Sequence, residues 1–325
     1  MVPAGHVAKG VQFLIGSCAE DADANLTRSQ YNLSTTRADY QAFVRSELPW
    51  ANRTIQQLML TMYLNDTGVP SAATPAPAIT ALAPAALAPT PAAATPAANE
   101  AANEAAGSRP GSTAATNHAM LDGSVSGLDR RLNASYSKWY WAAKHMLADA
   151  EMFCSNSKAA RWINRANMKG AAAAAAVGAA KRGAGGVVAG YARLYMFAHV
   201  PSAGGAGSGA PHNGDTAFWF HVKDSPNITA RLNSPAEVAL SSRMAQWWLR
   251  TAASGDPNTH PATATATPAW PPFPLNGKGG AAAEPVMVMN VQKSGVETGS
   301  YVAYGARASH CEFWDRLSYA QTPED

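Results

Sequence analysis

The chain is 325 residues long, only 14% of them charged, with a formal net charge of +3 and the two signs interspersed. Without a run of Lys or Arg it has no electrostatic footprint for a phosphate backbone or an anionic membrane, so nucleic-acid binding is excluded from the expected roles. The longest apolar run, Ala171 to Ala176 with its Gly-rich tail, is too short and too small-sided to span a bilayer, and no transmembrane segment is expected.

The opening stretch MVPAGHVAKGVQFLIGSCAE lacks the basic start and continuous apolar region of a secretory signal. Six of the seventeen asparagines, Asn25, Asn32, Asn52, Asn65, Asn133 and Asn227, nevertheless stand in N-x-S/T sequons. That excess over chance favours a glycosylated, secreted protein. Secretory features without a leader imply a segment preceding Met1.

QFLIGS (Gln12 to Ser17) is a short apolar run closed by glycine and reads as a buried strand entering a loop. From Thr36 to Met62, the positions Tyr40, Phe43, Val44, Leu48, Ile55, Leu58 and Met62 recur at helical spacing, and Pro49 divides them into two helices. Residues 66–127 turn to Ala, Pro, Thr and Gly in simple order. Such a composition buries too little apolar surface to offset its ordering entropy and is expected to be a disordered insertion.

A helix follows over about Ser135 to Asn167, and residues 170–190 form a second low-complexity insertion. YARLYMFAHV (Tyr191 to Val200) is a strand, and a Gly-rich loop leads from it to His212. Pro235 to Ser254 is a strongly patterned helix stopped by Gly255 and Pro257. Val286 to Val291 reads as a strand and Ser309 to Ala320 as a final helix. Strands separated by helices give the α/β class, with three or four strands of a sheet present.

Four segments then carry a resemblance. WLRTAASGDPN (Trp248 to Asn258), followed by Trp270-Pro271-Pro272-Phe273, looks like the TGDPN turn and WPPY/F segment of type-B carboxylesterases and cholinesterases. Local physics alone accounts for Gly255, Asp256 and Pro257 as a left-handed cap, a self-bonding turn residue and a helix stop. It does not account for the downstream WPPF. GAPHNGDTAFWF (Gly209 to Phe220) is similar to the family's histidine loop, with His212 in the histidine place, Asp215 in the following acidic place, Phe218 and Phe220 in the aromatic places, and Asn213 where glycine is usual.

LIGSCAEDADANL (Leu14 to Leu26) resembles the strand and loop that carry the family's acid. Aligned from Gly16, the triad acid falls on Asp21, with Glu20 in the preceding acidic place as the alternative and Ala22 where glycine is usual. MFCSNSKAAR (Met152 to Arg161) and HCEFWDRL (His310 to Leu317) look like the two segments whose cysteines the family joins, which implies a Cys154–Cys311 disulfide and leaves Cys18 unpaired as a small buried residue.

The resemblance implies the C-terminal part of an α/β-hydrolase fold: an acid-loop strand and helices over 1–65, the insertion over 66–127, and the histidine-loop region over 128–325. It implies a carboxylic ester hydrolase of the serine type, with His212 as general base, Asp21 as its orienting acid and a small-molecule ester as substrate. The serine itself is absent. No G-x-S-x-G occurs in the chain, since GSVSG at Gly123 to Gly127 centres on Val125, so the isolated chain is expected to be inactive. Without the serine, a non-catalytic extracellular adhesion or binding module on the same fold is the alternative. The eight histidines show neither H-E-x-x-H nor Cys/His pairing at ligand spacing, and no phosphate-binding loop is present. No metal or cofactor is expected. The last helix is a plausible surface for self-association.

Overall fold

In the computed structural model, which describes residues 11–21, 35–64, 137–178, 191–202, 209–223, 232–259, 268–273, 284–291 and 299–321, the apolar run after Gln12 forms strand β1 (Phe13–Cys18). Two helices follow, α1 (Arg37–Glu47) and α2 (Arg53–Leu64), separated at Pro49 as the sequence predicts. Thr36 caps α1 through a reciprocal box with Asp39, which satisfies backbone donors that the first turn leaves open. The expected disordered insertion and the sequons at Asn25, Asn32, Asn65, Asn133 and Asn227 lie outside the described residues. Asn52 accepts the Ile55 N–H with its side chain at the start of α2.

The single helix expected over 135–167 is two helices joined without a break. α3 (Lys138–Leu147) passes into a π turn (Ala148–Phe153) and then α4 (Cys154–Gly178). A π turn adds a residue to the helical circuit and changes which side chains face inward. α4 also continues into the stretch expected to be a low-complexity insertion. Alanine is the strongest helix former, and a run of it prolongs a helix already nucleated.

Strand β2 (Ala192–Phe197) pairs in parallel with β1, and β3 (Pro285–Met289) pairs in parallel with β2. Between them lie a single turn, α5 (Thr216–Trp219), and α6 (Pro235–Ser254), which Ser234 and Glu237 cap at one end and left-handed Gly255 at the other. Strand β4 (Tyr301–Tyr304) closes the sheet antiparallel to β3, and α7 (Ala308–Gln321) ends the fold. Among the described residues the protein is a mixed α/β structure whose four-stranded, mostly parallel sheet runs β1-β2-β3-β4, with β1 as an outer strand.

Alternation along β2 sends Ala192, Leu194 and Met196 to one face and Arg193, Tyr195 and Phe197 to the other. α4 packs on β1 and β2. On the second face Tyr195 meets Trp219 and Trp270, and Trp270 meets Trp247 of α6. Gly16 faces Tyr195 across the β1–β2 pair, and a Cβ there would lie 2.3 Å from the tyrosine ring, so only glycine lets the ring lie against β1.

A second apolar cluster is built from helices alone. Tyr40, Phe43, Ile55, Met59 and Tyr63 of α1 and α2 pack on Met146 and Leu147 of α3 and on Phe313 and Leu317 of α7. Below it, Asp149 of the π turn takes two guanidinium N–H groups of Arg307 and the Tyr63 hydroxyl, while Trp314 donates to that hydroxyl at 2.9 Å. The disulfide between Cys154 and Cys311 joins α4 to α7. Bridging 157 positions restricts the unfolded chain by about 4–5 kcal/mol in the chain-entropy account. Among the described residues, no helix is long and apolar enough to cross a membrane.

Candidate functional site

In a parallel sheet the loops that leave the carboxyl ends of adjacent strands converge, and ligand sites collect there. Here the ends of β1 and β2 are tied together. Ala19 donates its N–H to Phe197 O at 2.9 Å, Glu20 donates to Ala210 O at 3.1 Å, and Glu20 and Pro211 form an isolated parallel bridge. The loop after β1 and the loop that carries the histidine are therefore one hydrogen-bonded unit.

That unit brings Asp21 and His212 together although 191 positions separate them: imidazole Nδ1 lies 2.7 Å from Asp21 Oδ1. The other carboxylate oxygen accepts the Cys18 N–H at 2.9 Å. The Asp21 side chain is 6% exposed and that of His212 44%. Burial holds the Asp21 carboxyl above its ordinary 3.8, outweighing the bonds from His212 and Cys18 that favour its charged form. A buried carboxylate bonded to Nδ1 selects the Nδ1–H tautomer and leaves Nε2 with its lone pair. A half-exposed imidazole in that state can take up a proton.

The histidine loop is shaped for a sharp reversal. Asn213 has φ 62° and Gly209 has φ 65°. Asparagine is among the few non-glycine residues that tolerate the left-handed region, which explains its presence at this turn. Gly214 donates to Pro211 O at 2.8 Å, and a Cβ on Gly214 would fall at the same distance from that carbonyl.

The neighbouring candidates have other tasks. Asp215 accepts from the Tyr195 hydroxyl at 2.9 Å and from Trp219 Nε1 at 3.2 Å, which anchors the loop to the sheet. Burial, and then Asp215, push the Tyr195 hydroxyl far above its usual range, so it stays a donor. Phe218 is fully buried, whereas Phe220 is 68% exposed. Phe220 lines an open groove of about 630 Å³ with Leu14, Tyr195, Trp219 and Trp248. Glu20, the alternative acid, is fully buried and bonds to groups other than the His212 ring; it accepts the Ala210 N–H at 2.5 Å and meets His145 Nε2 at 3.3 Å. Cys18 is a free, buried thiol, pushed up by burial and by the carboxylates of Asp215 and Asp21.

A serine–histidine contact also occurs at His221 Nδ1 and Ser241 Oγ, 2.9 Å apart. Ser241 is fully buried and donates its proton to Phe218 O at 2.8 Å, so His221 Nδ1 donates to the hydroxyl and is not placed to take the serine proton. This pair latches the histidine loop to α6.

Sequence reasoning missed two further acids. Glu237, in the capping box of α6, accepts from His199 Nε2 at 3.0 Å, from the Ser202 N–H and hydroxyl at 2.7 Å each, and from the Asn233 and Ser234 N–H groups. Burial alone would raise this carboxyl, but those bonds bring it down to about 2. The S-P-A-E pattern at Ser234 signals the cap; nothing local signals His199. Glu151 of the π turn is held above its ordinary 4.5 by burial and then by the carboxylates of Glu47 and Asp21. Among the described residues, no group of three His, Cys, Asp or Glu is arranged to hold a metal ion. The chain matches no known protein-family model and no curated protein.

Proposed function

We propose that this chain supplies the acid and the histidine of a serine-type carboxylic ester hydrolase, with an α/β-hydrolase fold resembling that of type-B carboxylesterases and cholinesterases, and acts in the secretory pathway or outside the cell. The observation that carries this reading is the 2.7 Å contact of His212 Nδ1 with the buried Asp21 carboxylate, at the carboxyl ends of two parallel strands. The outer position of β1, with the aromatic groove beside it, supports a further segment there that bears the G-x-S-x-G elbow. The disulfide supports an oxidising compartment.

In this mechanism Asp21 holds the Nδ1–H tautomer. His212 Nε2 takes the serine hydroxyl proton as the oxygen attacks the ester carbonyl carbon, and Asp21 stabilises the imidazolium. The imidazolium returns the proton to the leaving alcohol as the carbon–oxygen bond breaks. Water, deprotonated by the same nitrogen, then releases the acid from the acyl-enzyme.

The 325-residue chain alone is expected to leave p-nitrophenyl butyrate intact and to take up no fluorophosphonate label. Produced together with its nucleophile-bearing segment it is expected to do both, and His212→Ala is expected to lower turnover by about 10⁴-fold or more. Hydrolysis by the isolated chain that a serine reagent abolishes, or full turnover by His212→Ala, overturns the assignment. The absence of G-x-S-x-G from the chain favours a second reading, a non-catalytic extracellular binding module. Failure of the assembled protein to take up label would select it.

A further inference from the structure

Two consecutive acids leave the end of β1, and each meets a different histidine. Asp21 meets His212. Glu20 meets His145 of α3, which is 2% exposed and stacks on Trp141 with ring centroids 6.2 Å apart. The second oxygen of Glu20 accepts the Ala210 N–H at 2.5 Å, and its own N–H goes to Ala210 O at 3.1 Å. Both the side chain and the backbone of one residue thus hold the tripeptide that leads into His212.

The fit around that carboxylate is close. Gly209 has φ 65°, and a Cβ on it would lie 2.6 Å from Glu20 Oε2. A fully buried carboxylate needs hydrogen-bond partners on both oxygens, and here one is the histidine loop and the other a ring fixed in a helix. α3 is thereby connected to the base of the His212 loop through a single side chain.

We propose that Glu20 and His145 are positioning residues for His212: the buried pair fixes the 209–211 backbone at the height where His212 Nδ1 meets Asp21. This inference rests on the reading of His212 as general base. Neither residue touches substrate. Their effect is on the tautomer of another side chain, which depends on how closely Nδ1 approaches the Asp21 oxygen.

The test is the imidazole ¹⁵N NMR spectrum of His212 in the full chain at a pH where the ring is neutral, since the two nitrogens report which of them carries the proton. The wild type is expected to hold the Nδ1–H form. Glu20→Ala is expected to shift the ratio about tenfold toward Nε2–H, the scale of one charge-assisted hydrogen bond. Glu20→Gln keeps an oxygen for the Ala210 N–H and is expected to restore the wild-type ratio. Gly209→Ala displaces the carboxylate from the opposite side and is expected to reproduce the shift; it carries the test if Glu20→Ala does not fold. An unchanged ratio in either variant, with the circular dichroism of the wild type, overturns the positioning role while leaving the Asp21–His212 pair intact. A wild-type His212 already in the Nε2–H form instead overturns the reading of the site itself.

Discussion

The helical region and the sheet region each bury a carboxylate against a nitrogen base, but they finish the job differently. In the helical region Asp149 is 1% exposed, and Arg307, Tyr63 and Trp314 close around it. Arg307 sits at φ 54°, a conformation that costs energy in a non-glycine residue and persists where its surroundings fix it. In the sheet region Asp21 is also buried, with its side chain 6% exposed, yet its partner His212 is 44% exposed. A carboxylate enclosed on every side serves as a structural tie. One whose partner keeps a free edge suits the orienting role proposed for Asp21.

Substitutions can break that contrast from both sides. The largest effect is expected from Asp21→Asn, whose amide donates to Nδ1 and reverses the tautomer. In the assembled protein, fluorophosphonate labelling is expected to slow by about 10⁴-fold. Its stability moves the other way. Because burial raises the Asp21 carboxyl above 3.8, the folded state binds that proton more tightly than the unfolded chain. The group's contribution to stability therefore falls as pH rises from 3.8 through the folded value, and the variant is expected to melt no lower than the wild type at pH 7.

Asp149→Ala is expected to do the reverse, leaving the Asp21–His212 contact in place while destabilising the fold by about 3–5 kcal/mol, because it strands a buried guanidinium. Urea denaturation measures this. The smallest effect, about 1.5–3 kcal/mol, is expected from Glu237→Gln, which loses charge-assisted bonds at the end of α6. The sign here is opposite to that of Asp21. With the folded carboxyl near 2 and the ordinary value 4.5, the contribution is complete above pH 4.5 and disappears as pH falls toward 2. A melting profile that declines in that window in the wild type and less steeply in the variant is the outcome that checks it.

The sequence made most of the elements legible because their signals are local. Pro49, Gly255 and the caps at Thr36 and Ser234 mark helix ends whatever surrounds them. Strand β4 escaped because four residues after a Gly-Ser pair carry too little periodicity. The extension of α4 to Gly178 escaped because alanine repeats read as low complexity while alanine itself favours helix. At the site, His212, Asp21 and the two bonded cysteines were singled out through motif resemblance. The Glu20–His145 pair, 125 positions apart, and the Asp149–Arg307 pair, 158 apart, belong to no motif. Such partners become visible only when the π turn and the strand ends are placed in space.

The disulfide adds a consequence for when the ion pair can form. Cys154 lies five positions after Asp149, and Cys311 four after Arg307. Once the sulfurs are joined, the acid and the guanidinium no longer search for each other across the intervening chain; they meet as neighbours, at the raised effective concentration that tethering confers. A chain whose disulfide closes first therefore forms this buried pair as a local contact, whereas a chain with reduced thiols assembles the same pair by long-range collision.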